Sequence, residues 1–262
     1  MRKPRIRIVF LLPVVFLLAL KPDPVVKKYP VSKAQQAVAI DNAHFYVINN
    51  SSISKHWKSN GEEIDFWQDT SGTLKHLNSG IIINQQLYCT NTNYPESPMA
   101  SSLEIFDPVT LTHIGNHSFG VFNGSATWVD FYQAHWYVAF AHYTGRGSTE
   151  GKSNSWTRLV KFDQEWRQLE SWIFPRQLID KFESRSNSGG FIHEGLIYAT
   201  GHDLPELYVL SFPSMGFTLN WEATHPVGSY GQGIAKEFND TTRLIWGIIR
   251  EENAVVVSNL TE

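Results

Sequence analysis

Three histidines, His76, His142 and His202, stand 66 and 60 residues apart in the chain. Imidazole titrates near working pH, so any of them could take or give a proton. Three meeting at one point could instead hold one divalent metal ion with a position open for water, and metal-bound water is a usable nucleophile or base near neutrality. Such long spacings are not a ligand motif, and only the fold can bring these side chains together. Arg250 suits an anionic group, which a guanidinium grips through paired hydrogen bonds. His142, His202 and Arg250 are therefore the candidate catalytic residues, and His76, His142 and His202 the candidate metal ligands. Asp203, directly after His202, could orient the imidazole, bind a cation or cap the Leu204-Pro205 turn. Gln36, Asn78, Asn91, Asn93, Tyr143 and Gln232 complete a candidate substrate-binding set. Each has a plain alternative: a loop hydrogen bond, an ion pair of Arg250 with Glu251, or core packing for an aromatic ring.

The elements that must position these residues are short strands. From Gly189 to Trp221 four strand-like runs follow one another, broken by turn residues, and the segment from Gly80 to Gly115 has the same grammar. First strands begin near residues 37, 80, 127, 189 and 233, spacings of 43, 47, 62 and 44. A period of about 40–50 residues with four strands each is the signature of β-propeller blades. The expectation is all-β, with five blades of four antiparallel strands, six being the lesser possibility. The last repeat shows three strands only, and Val25–Val31 could supply its missing outer one, closing the ring and removing exposed sheet edges. In such a ring the loops leading into each first strand and out of each second strand open on one face. That map sends His76, His142, His202 and Arg250 toward one central funnel.

Composition narrows the classes further. Aromatic residues make up 13% of the chain and charged ones 18%, where about 25% charged is usual, which favours sheet. The formal charge of −3 provides no broad basic face for nucleic acid. One cysteine, Cys89, rules out an intramolecular disulfide and Cys-rich metal sites, and its apolar strand suits an inert thiol. No P-loop, Gly-x-Ser-x-Gly elbow, His-Glu-x-x-His or EF-hand is present.

At the front of the chain, four positive charges in residues 2–7 precede an apolar run from Ile8 to Leu20. This pattern suits a secretory signal or N-terminal anchor over residues 1–21, with cleavage open, and so an exported protein, periplasmic or secreted. Residues 22–30 read as a tether or closing strand, and 31–262 as a single domain.

Leu77-Asn-Ser-Gly, Gly124-Ser-Ala-Thr-Trp-Val, Phe140-Ala-His-Tyr, Ser188-Gly-Gly, Tyr198-Ala-Thr-Gly-His-Asp and Gly231-Gln-Gly-Ile-Ala together resemble a group of exported bacterial propeller-like proteins loosely labelled cycloisomerase. The likeness covers nearly the whole chain after residue 30. A second, weaker likeness is to plant-type glutamine cyclotransferases, similar in size, export and five-bladed design. Their Phe-Thr-Gln-Gly opening is not matched here; Gln35-Gln36-Ala37-Val38 is a faint echo. Both resemblances imply an intramolecular cyclisation or a related proton transfer. The expectation is an isomerase- or lyase-type enzyme acting on a small anionic molecule, with Arg250 holding the anion and a metal ion as an optional aid. The alternative is a non-catalytic propeller binding a carbohydrate, peptide or other small ligand. Either would act as a monomer, touching a membrane only through an uncleaved N-terminus.

Overall fold

The computed structural model describes residues 24–239 and 241–260, so the candidate export segment, residues 1–21, lies outside the described residues. Five four-stranded antiparallel sheets form a β-propeller. From the channel outward, blade one comprises Ala37–Ile40, His44–Asn49, Ser52–Trp57 and Glu63–Gln68. Blades two, three and four begin with His76–Ile83, Ser125–Tyr132 and Gly189–His193 and repeat the same in-to-out order. Their inner hairpins turn on Asn84-Gln85, Gln133-Ala134 and Glu194-Gly195, every one of these residues at positive φ, as a two-residue turn between twisted strands requires.

Blade five closes the ring. Its strands run Ala235–Phe238, Arg243–Ile249 and Ala254–Asn259 outward, and the fourth is Val25–Pro30 from the other end of the chain. The closing strand pairs from Val25 opposite Ser258 to Pro30 opposite Ala254. Tyr29 locks it, burying its ring 4.9 Å from Phe45 and 5.6 Å from Trp246 while its hydroxyl donates to the Lys58 carbonyl at 2.5 Å.

The aromatic content packs the blades together. Tyr88 of blade two meets Trp136 of blade three at 4.9 Å, and Trp136 stacks on Trp166 at 4.7 Å. Such ring pairs add roughly 0.5–1.5 kcal/mol beyond the area they bury. Cys89 is buried and its thiol pushed up by desolvation, consistent with an inert core residue.

The excess length of the third repeat divides into two insertions. After the second strand of blade three, a loop carries the short 3-10 turn Asn154–Trp156; between blades three and four lies the one short α-helix among the described residues, Arg176–Lys181. The sequence reading places the loop but not this helix, which is too short for a helical period to show. Leu178, Ile179 and Phe182 sink into the cluster that holds Trp128 and Tyr208, each worth roughly 1.5–3 kcal/mol of burial. That anchorage fixes the chain just before Arg185. Among the described residues no helix is long and apolar enough to cross a membrane.

Candidate functional site

A cavity of about 340 Å³ occupies the channel at the end where the inner strands begin. Its floor is made by local irregularities of those strands. In blades two and three the ladder slips between Leu77 and Ser79 and between Ala126 and Trp128, leaving Asn78 and Thr127 without a cross-strand partner. Bulges re-aim side chains in this way, and both residues line the cavity. Asn78 Nδ2 donates to the Ala126 carbonyl at 2.8 Å, tying blade two to blade three. Gly189 lies so close to the Gln232 carbonyl that any Cβ would overlap it, and a backbone bridge joins Ala37 to Gly233. The narrow ring of inner strands thus crowds directly beneath the polar residues.

The wall from blades four and five carries the chemistry. His202, two residues past the strand Leu196–Thr200, sets Nδ1 2.6 Å from Asp203 Oδ1. Arg250 places Nη2 3.1 Å from His202 Nε2. The same Nη2 lies 3.5 Å from Nδ1, so the guanidinium sits over the ring and not along the Nε2 lone pair. A carboxylate can only accept, so Nδ1–H donates to Asp203 and Nε2 is the unprotonated nitrogen of the neutral ring. Burial and then Arg250 hold the His202 imidazole below its ordinary range, against the pull of Asp203, so it is neutral near pH 7. His76 lines the same cavity, pushed down to about 4 by burial and by Arg250 and His202. Gln232, held at φ +68, donates from Nε2 to the His202 carbonyl at 2.9 Å. Gln36 Nε2 donates to Asn50 Oδ1 at 2.8 Å across the blade-one rim. Tyr143 is buried with its hydroxyl 3.3 Å from Ser125 Oγ, and desolvation raises that phenol to about 12, so it stays protonated.

The cavity therefore gathers His76, His202, Arg250, Gln36, Asn78, Tyr143 and Gln232 from the sequence-derived set. His142 is not among its lining residues. That side chain is 3% exposed, turned toward Trp156 at 6.4 Å, with Nδ1 unpartnered, and burial followed by Lys152 pushes it down to about 4. Its neighbour Tyr143 faces the cavity instead, because successive residues of an extended chain point to opposite sides. Asn91 and Asn93 organise their own loop. Asn91 donates to Ser102 Oγ at 3.1 Å, and Asn93 donates to the Pro98 carbonyl at 3.0 Å. Asp203 stands behind His202 in an adjoining cavity of about 600 Å³ that also holds Glu251, Glu252 and Tyr230.

The three imidazoles are thus not assembled as a metal site. Among the described residues no group of three or more His, Cys, Asp or Glu side chains is placed to hold a metal ion. Only His76 and His202 share the cavity, with the Arg250 guanidinium 3.1 Å from His202 Nε2. This donor set does not fit a divalent ion.

Lys75, Arg146 and Arg185 also line the cavity, and sequence reasoning passes over all three. Arg146 and Arg185 sit in the two insertions, which carry no strand period to assign them a direction. Asn154 clamps those insertions together, its Nδ2 donating to the carbonyls of Glu183 at 2.6 Å and Arg185 at 3.2 Å. Arg185 Nη1 reaches Tyr94 Oη at 3.4 Å, and the Tyr94 ring lies 5.2 Å from that of Tyr143. The extra length of the third repeat was the available signal: an insertion on the funnel side of a propeller is chain that can reach into the funnel.

The sequence matches no protein-family model and no curated protein. Among solved structures the chain is similar to a glutaminyl cyclase from Myxococcus xanthus, with 10% identity, a TM-score of 0.55, and 90% of this chain and 97% of that one covered. It also overlaps the WD40 repeats of RRP9, with 8% identity, a TM-score of 0.49, and 86% and 79% of the two chains covered. The first likeness establishes a shared fold over nearly the full length of both chains.

Proposed function

We propose that this chain is an enzyme that moves a proton on a small anionic substrate within the central cavity, in a cyclisation, isomerisation or elimination. The observation that carries the reading is the line Asp203–His202–Arg250 in the wall of a cavity with no carboxylate among its lining residues. Arg250 lies over the His202 ring and leaves the in-plane lone pair of Nε2 open. A substrate carboxylate is a better partner for the guanidinium than a neutral imidazole, because both its oxygens can accept. With the carboxylate held on Arg250, the open Nε2 faces the bound substrate, while Asp203 keeps the other nitrogen protonated and the ring oriented. Nε2 takes a proton from the substrate, and the imidazolium that forms is stabilised by Asp203. His76, neutral at working pH, and the protonated Tyr143 can donate hydrogen bonds to negative charge developing on the substrate.

A glutaminyl cyclase shares this fold, which supports an intramolecular reaction as a possibility for the scaffold; the cavity residues carry the rest. Four cationic side chains and no acid favour an anion over a free ammonium group as the part of the substrate held here. A second reading, capture without turnover, is favoured by the amides Gln36, Asn50, Asn78 and Gln232 and the rings of Tyr94 and Tyr143, which could hold a carbohydrate or peptide. The two readings separate in deuterated water. A panel of small carboxylates is incubated with the protein and followed by proton NMR for loss of C–H signals or new ring products. Conversion that disappears in His202→Gln supports the enzyme. Anions that bind, survive unchanged and bind equally well to His202→Gln make it a binding module.

A further inference from the structure

We infer that the cavity is shaped for a ligand carrying two negative charges. The inference rests on the anion-binding part of the reading above and deepens it. Of the arginines away from the cavity, Arg167, Arg176 and Arg243 each have a carboxylate within ion-pair distance, and Arg158 is held by Asn123 Oδ1 at 2.6 Å. Arg146, Arg185 and Arg250 line the cavity, and none has such a partner among the described residues. The fourth cation, Lys75, is answered at the rim by Glu96 at 2.6 Å. Asp203, the nearest acid on the other side, is spent on His202.

The three guanidiniums come from three separate segments, the two insertions and the end of the strand Arg243–Ile249. Arg250 stands with His202 at the blade four–five wall. Arg185 stands with Tyr94, whose ring is 5.2 Å from His76 and packs on Gly147, the residue next to Arg146. Burial lowers the Arg250 pKa, Asp203 pulls it back up, and Arg185 adds a smaller repulsion. Gathering like charges around a desolvated space costs free energy that an entering anion relieves. One monoanion on Arg250 leaves Arg146 and Arg185 without a carboxylate; the second charge of a dianion can answer them.

The cavity at the other end of the channel makes the contrast. It also holds charged side chains, but they are matched within the protein: Lys58 with Glu237 at 3.1 Å, His44 with Asp41 at 3.0 Å, and Lys236 with Asp130 at 3.8 Å. Electrostatics there require no ligand.

The test uses matched probes that differ by one charge. Succinate against succinamate, and glutarate against glutaramate, are titrated calorimetrically into the protein at low and at physiological salt, with methyl phosphate at pH 7.5 as a dianion whose charges share one group. Each dicarboxylate is expected to bind about tenfold tighter than its half-amide, the size of one added charge-assisted pair. In Arg146→Gln and Arg185→Gln that ratio falls toward one while half-amide binding persists, and the Lys variants retain part of it. Arg250→Gln weakens acid and half-amide alike. Arg146 is an exposed loop residue, so its substitution leaves the fold in place even if Arg185→Gln does not. Preference for methyl phosphate over both dicarboxylates would also support a dianion and assign its charges to one group. Half-amides binding as tightly as the diacids, or a ratio unchanged in both Gln variants, overturns the inference. If monoanions still bind through Arg250, only the dianion is lost. If no anion binds at all, the proton-transfer reading falls with it.

Discussion

His142 supplies the sharpest physical test, because it is a buried imidazole that the cavity does not use. In an unfolded chain it titrates near 6.5; in the fold, burial and Lys152 push it down to about 4. The folded state therefore binds this proton less readily than the unfolded one. Its contribution is intact above pH 6.5 and is lost as pH falls through 6.5 toward 4. With those two values, linkage gives a loss on the order of 2 kcal/mol at pH 5 and about 3 kcal/mol at pH 4. Burial leads because the residue is 3% exposed with Nδ1 unpartnered, and a hydrogen bond to the Asn123 backbone opposes it in part. His142→Gln removes the titration and keeps a polar side chain. Urea denaturation of both proteins at pH 7.5 and pH 5.0 reads the effect. Wild type should lose about 2 kcal/mol more than the variant between the two conditions, His76 and His56 being common to both. The variant should also bind anions as wild type does. Equal losses in the two proteins would refute the burial argument, and a loss of anion binding would return His142 to the site.

Other expectations follow from single contacts. Catalysis that needs neutral His202 should fall on the acid side, with an apparent pKa below the ordinary histidine value of 6.5, and Asp203→Asn should move that limb further down, since the carboxylate is what raises it. Asn154→Ala should cost about 1–3 kcal/mol in denaturation, by stranding two carbonyls, and should weaken dianion binding through Arg185 without touching Arg250. At Gly231, with φ +60 and the His202 carbonyl in the way of any Cβ, alanine should cost at least about 1 kcal/mol and disturb Gln232 and His202 together. A chain beginning at Val31 lacks the strand Val25–Pro30 and exposes the edge of Ala254–Asn259. It should elute as larger species in size-exclusion chromatography, while one beginning at Pro24 stays monodisperse.

Much of the ring is legible in the sequence because a propeller repeats one simple unit. Inner strands expected near 37, 80, 127, 189 and 233 begin at Ala37, His76, Ser125, Gly189 and Ala235. The largest difference, at blade two, arises because His76 to Ser79 looks like loop but pairs with Thr90 to Thr92 across a bulge. Blade closure by Val25–Pro30 follows from counting: a repeat with three strands needs a fourth. The site is legible only where the strand register carries the direction of a side chain. His202 and Gln232 lie within three residues of a strand end and Asn78 at a bulge inside a strand, close enough to the ladder for the blade count to send them to the funnel. His142 and Tyr143 are neighbours, and a shift of one residue exchanges which of them faces inward. Arg146 and Arg185 reach the cavity through contacts made by Asn154 and Tyr94, long-range pairings that no local pattern encodes.

The pairing of Val25 with Ser258 has a further geometric meaning. The closing strand climbs from the far side of the ring toward the cavity, and Ala254–Asn259 descends beside it, so residues 24 and 260 emerge together on the side away from the cavity mouth. A fusion partner, a resin or a lipid surface attached directly at residues 24 or 260 would moor the ring by its underside, with the mouth facing outward. Two attachments made there lie within a strand's width of each other and pull on the same blade. A load applied between them would shear the pairing that closes the ring before it reached the cavity.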